Sequence, residues 1–398
     1  MTRASFSMDL NVSILSACRT PLGGFQGALA GESASALGAV AVRGAITQSS
    51  IADGEVTEIV MGNVLQAGQG QAPARQVGLA AGLPTSVRSS TINRVCGSGL
   101  QAVMQGSLSL ATGMSDLVVA GGMENMSQAP YFLPKARTGF RLGHQQVIDS
   151  LVHDGLWDPY SDQHMGACAE ETARRYALAR EAQDAYAMES FRRANAQLEL
   201  NRFADEIVPV DVTDRKGNVT RVELDEGPSK ARFDKMPLLK PAFDREGTIT
   251  AANASSLNDG AAALVLARGQ DTMTSGRARI GRIVSFGSHA QEPTWFTTAP
   301  VQAARQALTM AGWATEEVDL WEVNEAFAVV PLAFMQEMGL AADRVNVRGG
   351  AIALGHPIGC SGARILVTLL AALRTAGKKR GVAVICIGGG EGLAVCVE

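Results

Sequence analysis

Two cysteines and one asparagine stand in sequence contexts that could support catalysis. Cys96 in "NRVCGSG" precedes the start of a predicted helix, where unpaired backbone N–H groups and the helix dipole lower the pKa of a thiol. This favours a nucleophile, although a cysteine at a strand–helix junction is often only a small core residue. Asn324 in "VNEAFA" lies where a predicted strand runs out and offers both a donor and an acceptor, unless it simply caps a helix. Cys386 in "CIGGGEG" ends a buried strand beside glycine N–H donors, in a loop that could equally bind phosphate.

The fourth candidate is His356, one of 5 histidines in the chain, in the segment "RGGAIALGHPIG" (348–359). The glycines let the backbone approach a ligand closely, and the following proline fixes the exit from the histidine. An imidazole held in this way could act as an acid–base group or an oxyanion donor, although a lone histidine is more often a satisfied core or surface residue. A Walker lysine pattern and a GxGxxG motif opening a helix are both missing, which disfavours the usual nucleotide sites.

The elements that must position these residues alternate between short β-branched runs and Ala/Leu-rich helical stretches, which indicates an α/β fold. Buried strands are predicted at 58–64, 116–122, 319–325 and 381–390. Helices are predicted at 35–49, 97–113, 299–312 and 361–377.

These elements recur in the same order along the chain. Ala41 and Ala303 are 262 residues apart, and Ser98 and Ser361 are 263 apart. Such a constant offset predicts two related halves, although chance similarity between Ala/Gly-rich helices remains the alternative. Between the halves, a more charged segment at about 126–257 contains all 4 tyrosines and is predicted to form helices followed by a basic, proline-bearing stretch.

Composition limits the function classes. The net charge of −4 gives no overall basic field for nucleic acid or a membrane surface. No apolar run approaches the roughly 18–20 residues that span a bilayer, and the N-terminus does not resemble a secretory signal. The 6 cysteines are scattered without a CxxC pair, which predicts reduced thiols and a cytoplasmic location.

The motifs together resemble the thiolase family, and within it the acetyl-CoA C-acetyltransferases. The resemblance runs from about Val12 to the C-terminus through "RTPLGGFQGALA", "NRVCGSGL", "AGGMENMS", "HMGACAE", "NASSLNDGAAA", "NEAF", "GGAIALGHPIG" and "CIGGGEG". It implies a duplicated five-layer αβαβα thiolase fold with an inserted loop domain. We expect residues 1–125, completed by 258–278, to form the N-terminal half, 126–257 the inserted domain for coenzyme A, and 279–398 the C-terminal half.

The resemblance also implies a role for each candidate. Cys96 would take the acyl group, His356 would activate it and then polarise the thioester oxygen, and Cys386 would remove the α-proton of the second substrate. Asn324 would hold a water that pairs with His356 in one oxyanion hole, and the N–H groups of Cys96 and Gly388 would form the other. The implied coenzyme A contacts are Ser255, Leu156, His164, Met165, Lys230, Lys235, Phe243, Ala251 and Phe327. Either lysine could instead be only solvated charge.

Three features depart from the family pattern. Relatives that bind potassium beside the coenzyme use a tyrosine where this chain has "DEGPSK" (225–230), so we expect no such metal site. Relatives that accept 2-methyl-branched acyl groups often carry Phe-Pro where this chain has Phe296-Thr297. Glu391 stands where we expect Met, Gln or Gly, and it could alter acyl preference or point to solvent.

The expected reaction is a Claisen condensation of two acetyl-CoA molecules to acetoacetyl-CoA and free coenzyme A, together with its reverse thiolysis. The expected partners are these two thioesters, with no cofactor beyond coenzyme A, no nucleic acid and no membrane. The alternatives are a degradative 3-ketoacyl-CoA thiolase for longer chains and a non-catalytic acyl-CoA-binding protein. Retention of both cysteines and the histidine disfavours the second alternative. The resemblance implies a homodimer or homotetramer.

Overall fold

The structure is a computed structural model that describes residues 10–269, 272 and 276–398. Its strands in chain order are β1 (Val12–Arg19), β2 (Gly23–Gly24), β3 (Glu58–Gly62), β4 (Arg88–Ile92), β5 (Leu117–Asn125), β6 (Tyr131–Phe132), β7 (Ile148–Asp149), β8 (Trp157–Asp158), β9 (Gln163–His164), β10 (Val210–Thr213), β11 (Val219–Val222), β12 (Asn258–Arg268), β13 (Gly281–Ala290), β14 (Leu320–Val323), β15 (Gly381–Ile387) and β16 (Glu391–Val397). Its α-helices are α1 (Ala34–Ser49), α2 (Pro73–Ala80), α3 (Ser98–Ala111), α4 (Met165–Arg175), α5 (Arg180–Glu199), α6 (Ala299–Ala311), α7 (Val329–Met338), α8 (Ala351–Leu354) and α9 (Ile358–Ala376).

The eight elements predicted from the sequence all form, with shifted ends. The predicted strands 319–325 and 381–390 stop earlier, at Val323 and Ile387. This leaves Asn324 and Gly388 in the loops that follow the strands. The predicted helix 361–377 begins three residues earlier, at Ile358. As a result, His356 lies between helices α8 and α9.

The large sheet divides into two halves with the same strand order. The N-terminal half runs β1–β12–β5–β3–β4, and the C-terminal half runs β13–β16–β15–β14. In both halves the neighbouring pair β3/β5 or β14/β15 is parallel, whereas β12 and β16 are antiparallel to their neighbours. An isolated bridge from Val345 to Trp321 takes the place that β4 has in the first half. Antiparallel pairing of β1 with β13 joins the halves, and the repeated topology confirms a duplicated fold.

Helices and half-sheets alternate to give five layers. Helices α3 and α9 pack against each other between the two half-sheets. Helices α1 and α2 cover the outer face of the N-terminal half-sheet, and α6 and α7 cover that of the C-terminal half-sheet. Three apolar clusters fill the spaces between these layers, because each sheet buries both faces. The predicted αβαβα architecture is therefore confirmed.

The central helices cross at equivalent glycines. A Cβ atom on Gly99 would lie only 2.7 Å from the backbone nitrogen of Ala363, and one on Gly362 would collide with Leu100. Only glycine allows this approach, because any side chain would push the two backbones apart. The crossing brings the N-terminal ends of α3 and α9 together. Consequently the loops before these helices, which carry Cys96 and His356, meet at one place.

The segment 126–257 packs beside the two halves. Its charged stretch 169–197 forms most of α4 and α5, as the helical prediction requires. Helix α5 packs on α8, close to His356, and α4 packs on the segment 293–298 before α6. The remainder includes the antiparallel pairs β6–β7, β8–β9 and β10–β11. The domain boundaries given above stay a prediction.

Helix α9 is the longest apolar element. Its length and composition alone would allow it to cross a membrane, contrary to the expectation that no apolar segment is long enough. However, 89% of its apolar window is buried inside the protein, between the two half-sheets. A central layer that contacts apolar residues on all sides needs this composition.

Candidate active site

One cavity of about 610 Å³ collects most of the predicted site residues. Three of the predicted catalytic residues line it, namely Cys96, His356 and Gly388. Seven of the predicted coenzyme A contacts line it as well, namely Ser255, Leu156, His164, Met165, Phe243, Ala251 and Phe327. The N-terminal half, the C-terminal half and the segment between them thus share one cavity, as ligand sites between structural units commonly do.

Cys96 is held on a strained turn between β4 and α3. Val95, directly before it, has a left-handed φ of 44°, which is an outlier for a β-branched residue and costs about 1–3 kcal/mol. Hydrogen bonds hold this conformation. Asn93 Oδ1 accepts from the Val95 N–H at 3.0 Å, and the Ser98 hydroxyl donates to the Val95 carbonyl at 2.6 Å. Ser98 Oγ also accepts from the Arg94 N–H at 2.8 Å, so the turn presents the half-buried Cys96 thiol to the cavity.

The environment of the Cys96 thiol differs from the prediction. Burial raises its pKa to about 11, although hydrogen bonds from the backbone N–H groups of Gly388 and of Cys96 itself lower it. The expectation of a lowered pKa was therefore wrong as a net effect, because desolvation outweighs the N–H donors. The same two N–H groups were predicted to form an oxyanion hole, and both act on the thiol. An acyl oxygen on this sulfur would lie within their reach.

Glycine is required immediately before His356. Gly355 has a φ of 118°, and a Cβ atom there would overlap the side chain of Asn258. Asn258 Oδ1 accepts from the His356 backbone N–H at 3.0 Å, and Asn258 Nδ2 donates to the Gly23 carbonyl at 2.9 Å. Asn258 therefore fixes the backbone of the histidine loop against the N-terminal half.

The His356 ring is oriented by Ser361. His356 Nδ1 lies 2.5 Å from Ser361 Oγ, and the Ser361 hydroxyl donates to the Pro357 carbonyl at 2.9 Å. With the single hydroxyl proton of Ser361 directed to the Pro357 carbonyl, Nδ1 carries the hydrogen of the Nδ1–Oγ bond. Nε2 is then an unprotonated acceptor, and it is buried without a hydrogen-bond partner among the described residues. Burial, assisted by the charge of Arg364, lowers the His356 pKa to about 3, so the ring is a neutral base.

Cys386 and Asn324, both predicted to be catalytic, are buried and are not among the residues that line the cavity. Cys386 is at the end of β15 and is buried, and burial together with the charge of Cys96 raises its pKa well above the ordinary value. The two thiols are therefore close enough to influence each other. Asn324 is fully buried, and both side-chain polar atoms lack a hydrogen-bond partner within the described part of the chain. A buried amide left unpaired costs about 1–3 kcal/mol, which is consistent with the predicted water site.

The predicted coenzyme A contacts form a continuous wall. His164 stacks on Phe243 with ring centroids 4.7 Å apart, and Phe243 meets Phe327 edge to face at 5.9 Å. The Ser255 N–H donates to the Ala326 carbonyl, which joins the "NASS" and "NEAF" segments. His164 Nδ1 accepts from the Gly166 N–H at 3.0 Å, which leaves Nε2 as the protonated nitrogen.

The two predicted lysines lie outside the cavity. Neither Lys230 nor Lys235 is among the cavity-lining residues. Lys230 is exposed and lies 3.9 Å from Glu226, on the side of the segment near Gly24. Contact of either lysine with the coenzyme therefore stays a prediction. Phe296 lines the cavity, whereas Thr297 is buried behind it and hydrogen-bonds Thr172.

Sequence reasoning missed several supporting residues, including Val95, Asn258, Ser361 and Glu124. The Glu124 carboxylate is fully buried beneath the site and accepts from the N–H groups of Val64 at 3.0 Å and Gly359 at 2.9 Å. Burial raises its pKa to about 7 although these hydrogen bonds lower it. The quoted motifs contain Asn258 and Glu124, but the partners of these two residues are distant in sequence, so spacing gave no signal for their roles. Ser361 lies five residues after His356, beyond the end of the quoted histidine motif.

Comparisons with known proteins agree with this geometry. Residues 12–270 match the family described as "Thiolase, N-terminal domain", and residues 278–398 match "Thiolase, C-terminal domain". An acetyl-CoA acetyltransferase of Pseudomonas aeruginosa is 49% identical over 386 residues, covering 97% of this chain and 98% of the relative. Acetyl-CoA acetyltransferase 2 of Arabidopsis thaliana is 48% identical over 390 residues, covering 98% of this chain and 97% of the relative.

A crystal structure of a thiolase from Ascaris suum in complex with coenzyme A superimposes with a TM-score of 0.93. Its sequence is 44% identical, and the match covers 98% of this chain and 99% of the other. Family matches that span both halves, close relatives over nearly the full length and the shared fold lead to one conclusion. The chain belongs to the thiolase family.

Proposed function

We propose that this protein is an acetyl-CoA C-acetyltransferase that condenses two acetyl-CoA molecules to acetoacetyl-CoA and free coenzyme A, and catalyses the reverse thiolysis. One observation carries the proposal. Cys96, the Gly388 N–H group and the unpartnered His356 Nε2 converge in a single cavity, with Cys386 beside Cys96. The names of the relatives, which are acetyl-CoA acetyltransferases, support the same substrate.

In the first half-reaction, His356 Nε2 takes the proton of the Cys96 thiol, and the sulfur attacks the thioester carbonyl. The N–H groups of Cys96 and Gly388 stabilise the oxyanion, a contribution that is typically about 10²–10³ in rate for one donor. The carbon–sulfur bond to coenzyme A then breaks, and Cys386 supplies the proton to the departing thiolate. Acyl-Cys96, a protonated His356 and a Cys386 thiolate remain.

In the second half-reaction, the Cys386 thiolate removes the α-proton of a second acetyl-CoA. The protonated His356 donates through Nε2 to the developing enolate oxygen, and a water held by Asn324 provides the second donor. The carbanion attacks the acyl group on Cys96, the bond to Cys96 sulfur breaks, and His356 returns its proton to that sulfur. All three residues regain their starting protonation states, so the cycle balances.

The low pKa of His356 and the high pKa values of both thiols fit this cycle. In the resting site all three groups are neutral, because desolvation opposes every charged form. Charges arise only as a pair, with Cys386 negative and His356 positive after acylation. Each charge then stabilises the other within the cavity.

Coenzyme A is carried by the substrates and released as a product, and we propose that the reaction needs no other cofactor and no metal. The wall formed by Leu156, Met165, Phe243 and Phe327 would enclose the pantetheine arm, with polar contacts from Ser255 and His164. Ala251 would lie beside the arm, and Lys230 and Lys235 would meet the phosphates outside the cavity.

The test is thiolysis of acetoacetyl-CoA by the purified protein, with Cys96→Ser as the first variant. We expect the wild-type protein to cleave acetoacetyl-CoA and Cys96→Ser to lose the activity. Cys386→Ala should still form an acetyl-enzyme that is detectable by intact mass, more slowly because the departing thiolate receives no proton from Cys386, yet fail to condense. Full activity of Cys96→Ser, or the absence of an acetyl group on Cys386→Ala by intact mass, would contradict the assigned roles.

Chain-length preference separates this function from that of a degradative 3-ketoacyl-CoA thiolase. A thiolysis series with 3-ketoacyl-CoA substrates of increasing length, including the 2-methyl form, distinguishes the two. We expect acetoacetyl-CoA to give the highest kcat/KM. A maximum at a longer chain would favour the degradative enzyme.

We also propose that the protein acts in the cytoplasm as a homodimer or homotetramer. The 6 cysteines are all unpaired, which fits a reducing compartment. Light scattering of the purified chain would measure the oligomeric state, and a monomer mass would contradict this proposal.

A further inference from the structure

Glu391, which departs from the family pattern, does not line the cavity. Its carboxylate Oε2 lies 2.7 Å from Nε of Arg94, two residues before the nucleophile Cys96. The other two nitrogens of the guanidinium are also engaged. Nη1 donates to Gln101 Oε1 at 2.6 Å, and Nη2 donates to Ser288 Oγ at 2.9 Å. The arginine side chain is therefore held in one place by three partners from both halves of the fold.

The two ends of this ion pair are closely tied to the reacting groups. Arg94 belongs to the strained turn whose next residue, Val95, has a φ of 44°. Glu391 begins β16 and pairs in register with Ile387, directly after Cys386. Only Gly389 and Gly390, both with positive φ, separate it from Gly388. A shift of Glu391 relative to Arg94 therefore moves the Gly388 N–H and Cys386 relative to Cys96.

We propose that Arg94 and Glu391 form a positioning pair that sets the distance between the nucleophile turn and the Cys386–Gly388 loop. The pair joins the N-terminal half to the C-terminal half beside the site. Neither residue contacts the substrate, and both act through the groups that they position. The inference deepens the proposed function and depends on it, because it concerns the reaction of Cys96 with Cys386.

The pair has a matched control at the other end of β16. Glu398, which follows the last residue of β16, forms an ion pair with Arg282 at 2.6 Å. The side chains of that pair are 26% and 35% exposed, compared with 25% and 33% for Arg94 and Glu391. The two pairs should therefore contribute similarly to stability, while only one lies beside the site.

The experiment measures acetoacetyl-CoA thiolysis and thermal unfolding of the purified full chain. Glu391→Met and Arg94→Met should each lower kcat by about fivefold and leave KM unchanged. This is the loss expected if the whole stabilisation from one partly exposed ion pair is lost from the transition state. The double variant should lose no more than either single variant, because both remove the same interaction. Glu398→Met should shift Tm by a similar amount and leave kcat unchanged.

A conservative variant tests the same point if Glu391→Met does not fold. Glu391→Gln keeps a hydrogen-bond acceptor for Arg94 and should retain kcat within about twofold of the wild type. A wild-type protein without thiolysis would overturn the proposed function and this inference with it. Two outcomes with an active wild type would overturn the positioning role alone. In the first, Glu391→Met and Arg94→Met have the same kcat as Glu398→Met. In the second, the fold-loss in kcat of the double variant equals the product of the fold-losses of the two single variants.

Discussion

The bond between Ser361 and His356 gives the most specific prediction. Ser361→Ala removes the oxygen that accepts from His356 Nδ1 at 2.5 Å, and both residues are buried. The Nδ1–H group would then be left without a partner, which costs about 1–3 kcal/mol. A neutral imidazole can avoid this cost by moving its proton to Nε2, and that form cannot accept the Cys96 proton.

The structure gives the size of the effect. If the tautomer that carries the proton on Nε2 becomes favoured by about 1–3 kcal/mol, the reactive fraction falls by about 5- to 150-fold. We expect kcat/KM for acetoacetyl-CoA thiolysis to fall by that factor, followed as loss of the enolate absorbance of the substrate. Acylation of Cys96, measured by mass spectrometry at short times, should slow to the same extent.

A second buried serine provides the control. Ser107 in α3 is fully buried and donates to the Val103 carbonyl four residues earlier at 2.8 Å, as Ser361 does to Pro357. Ser107→Ala thus removes the same kind of helical bond without touching the site. Its kcat/KM should stay at the wild-type value. If Ser361→Ala is within about twofold of Ser107→Ala, the tautomer argument is wrong.

Three further predictions follow from single features. Alkylation of Cys96 by iodoacetamide should accelerate about tenfold per pH unit between about pH 7 and 9. The reason is that burial raises the pKa of the thiol to about 11 and only the thiolate reacts. A rate that stays constant with pH would indicate a preformed thiolate–imidazolium pair. Gly355→Ala should lower the free energy of unfolding, measured in urea, by about 1–3 kcal/mol more than Gly377→Ala. Both glycines have positive φ, but a Cβ atom at Gly377 meets nothing within 4 Å, whereas one at Gly355 overlaps Asn258. Equal losses for the two variants would contradict this clash. Replacing KCl by NaCl at constant ionic strength should leave the KM for acetoacetyl-CoA unchanged, because the stretch 225–230 contains no tyrosine; a rise in KM would reveal a potassium site.

The sequence alone determined the elements and the chemistry-bearing residues. The alternation of strands and helices follows from local periodicity, which every residue in a run reinforces, so all eight predicted elements formed. The repeat at 262–263 residues predicted the matching strand order of the two halves. Cys96 and His356 were identified because reactive side chains beside glycine-rich segments leave a local signal, whereas Gly388 was named through the family resemblance.

Only the tertiary structure decided how these groups are tuned and held. The pKa of Cys96 depends on the balance between desolvation and N–H donors, and that balance was opposite to the local expectation because burial is a property of the whole fold. Lys230 lies outside the cavity with its ammonium 3.9 Å from Glu226, a placement that only the folded chain fixes. The contacts of Asn258 and Glu391 join residues that are 98 and 297 positions from their partners, His356 and Arg94. No local pattern encodes such pairs, since they exist only after the two halves have packed together.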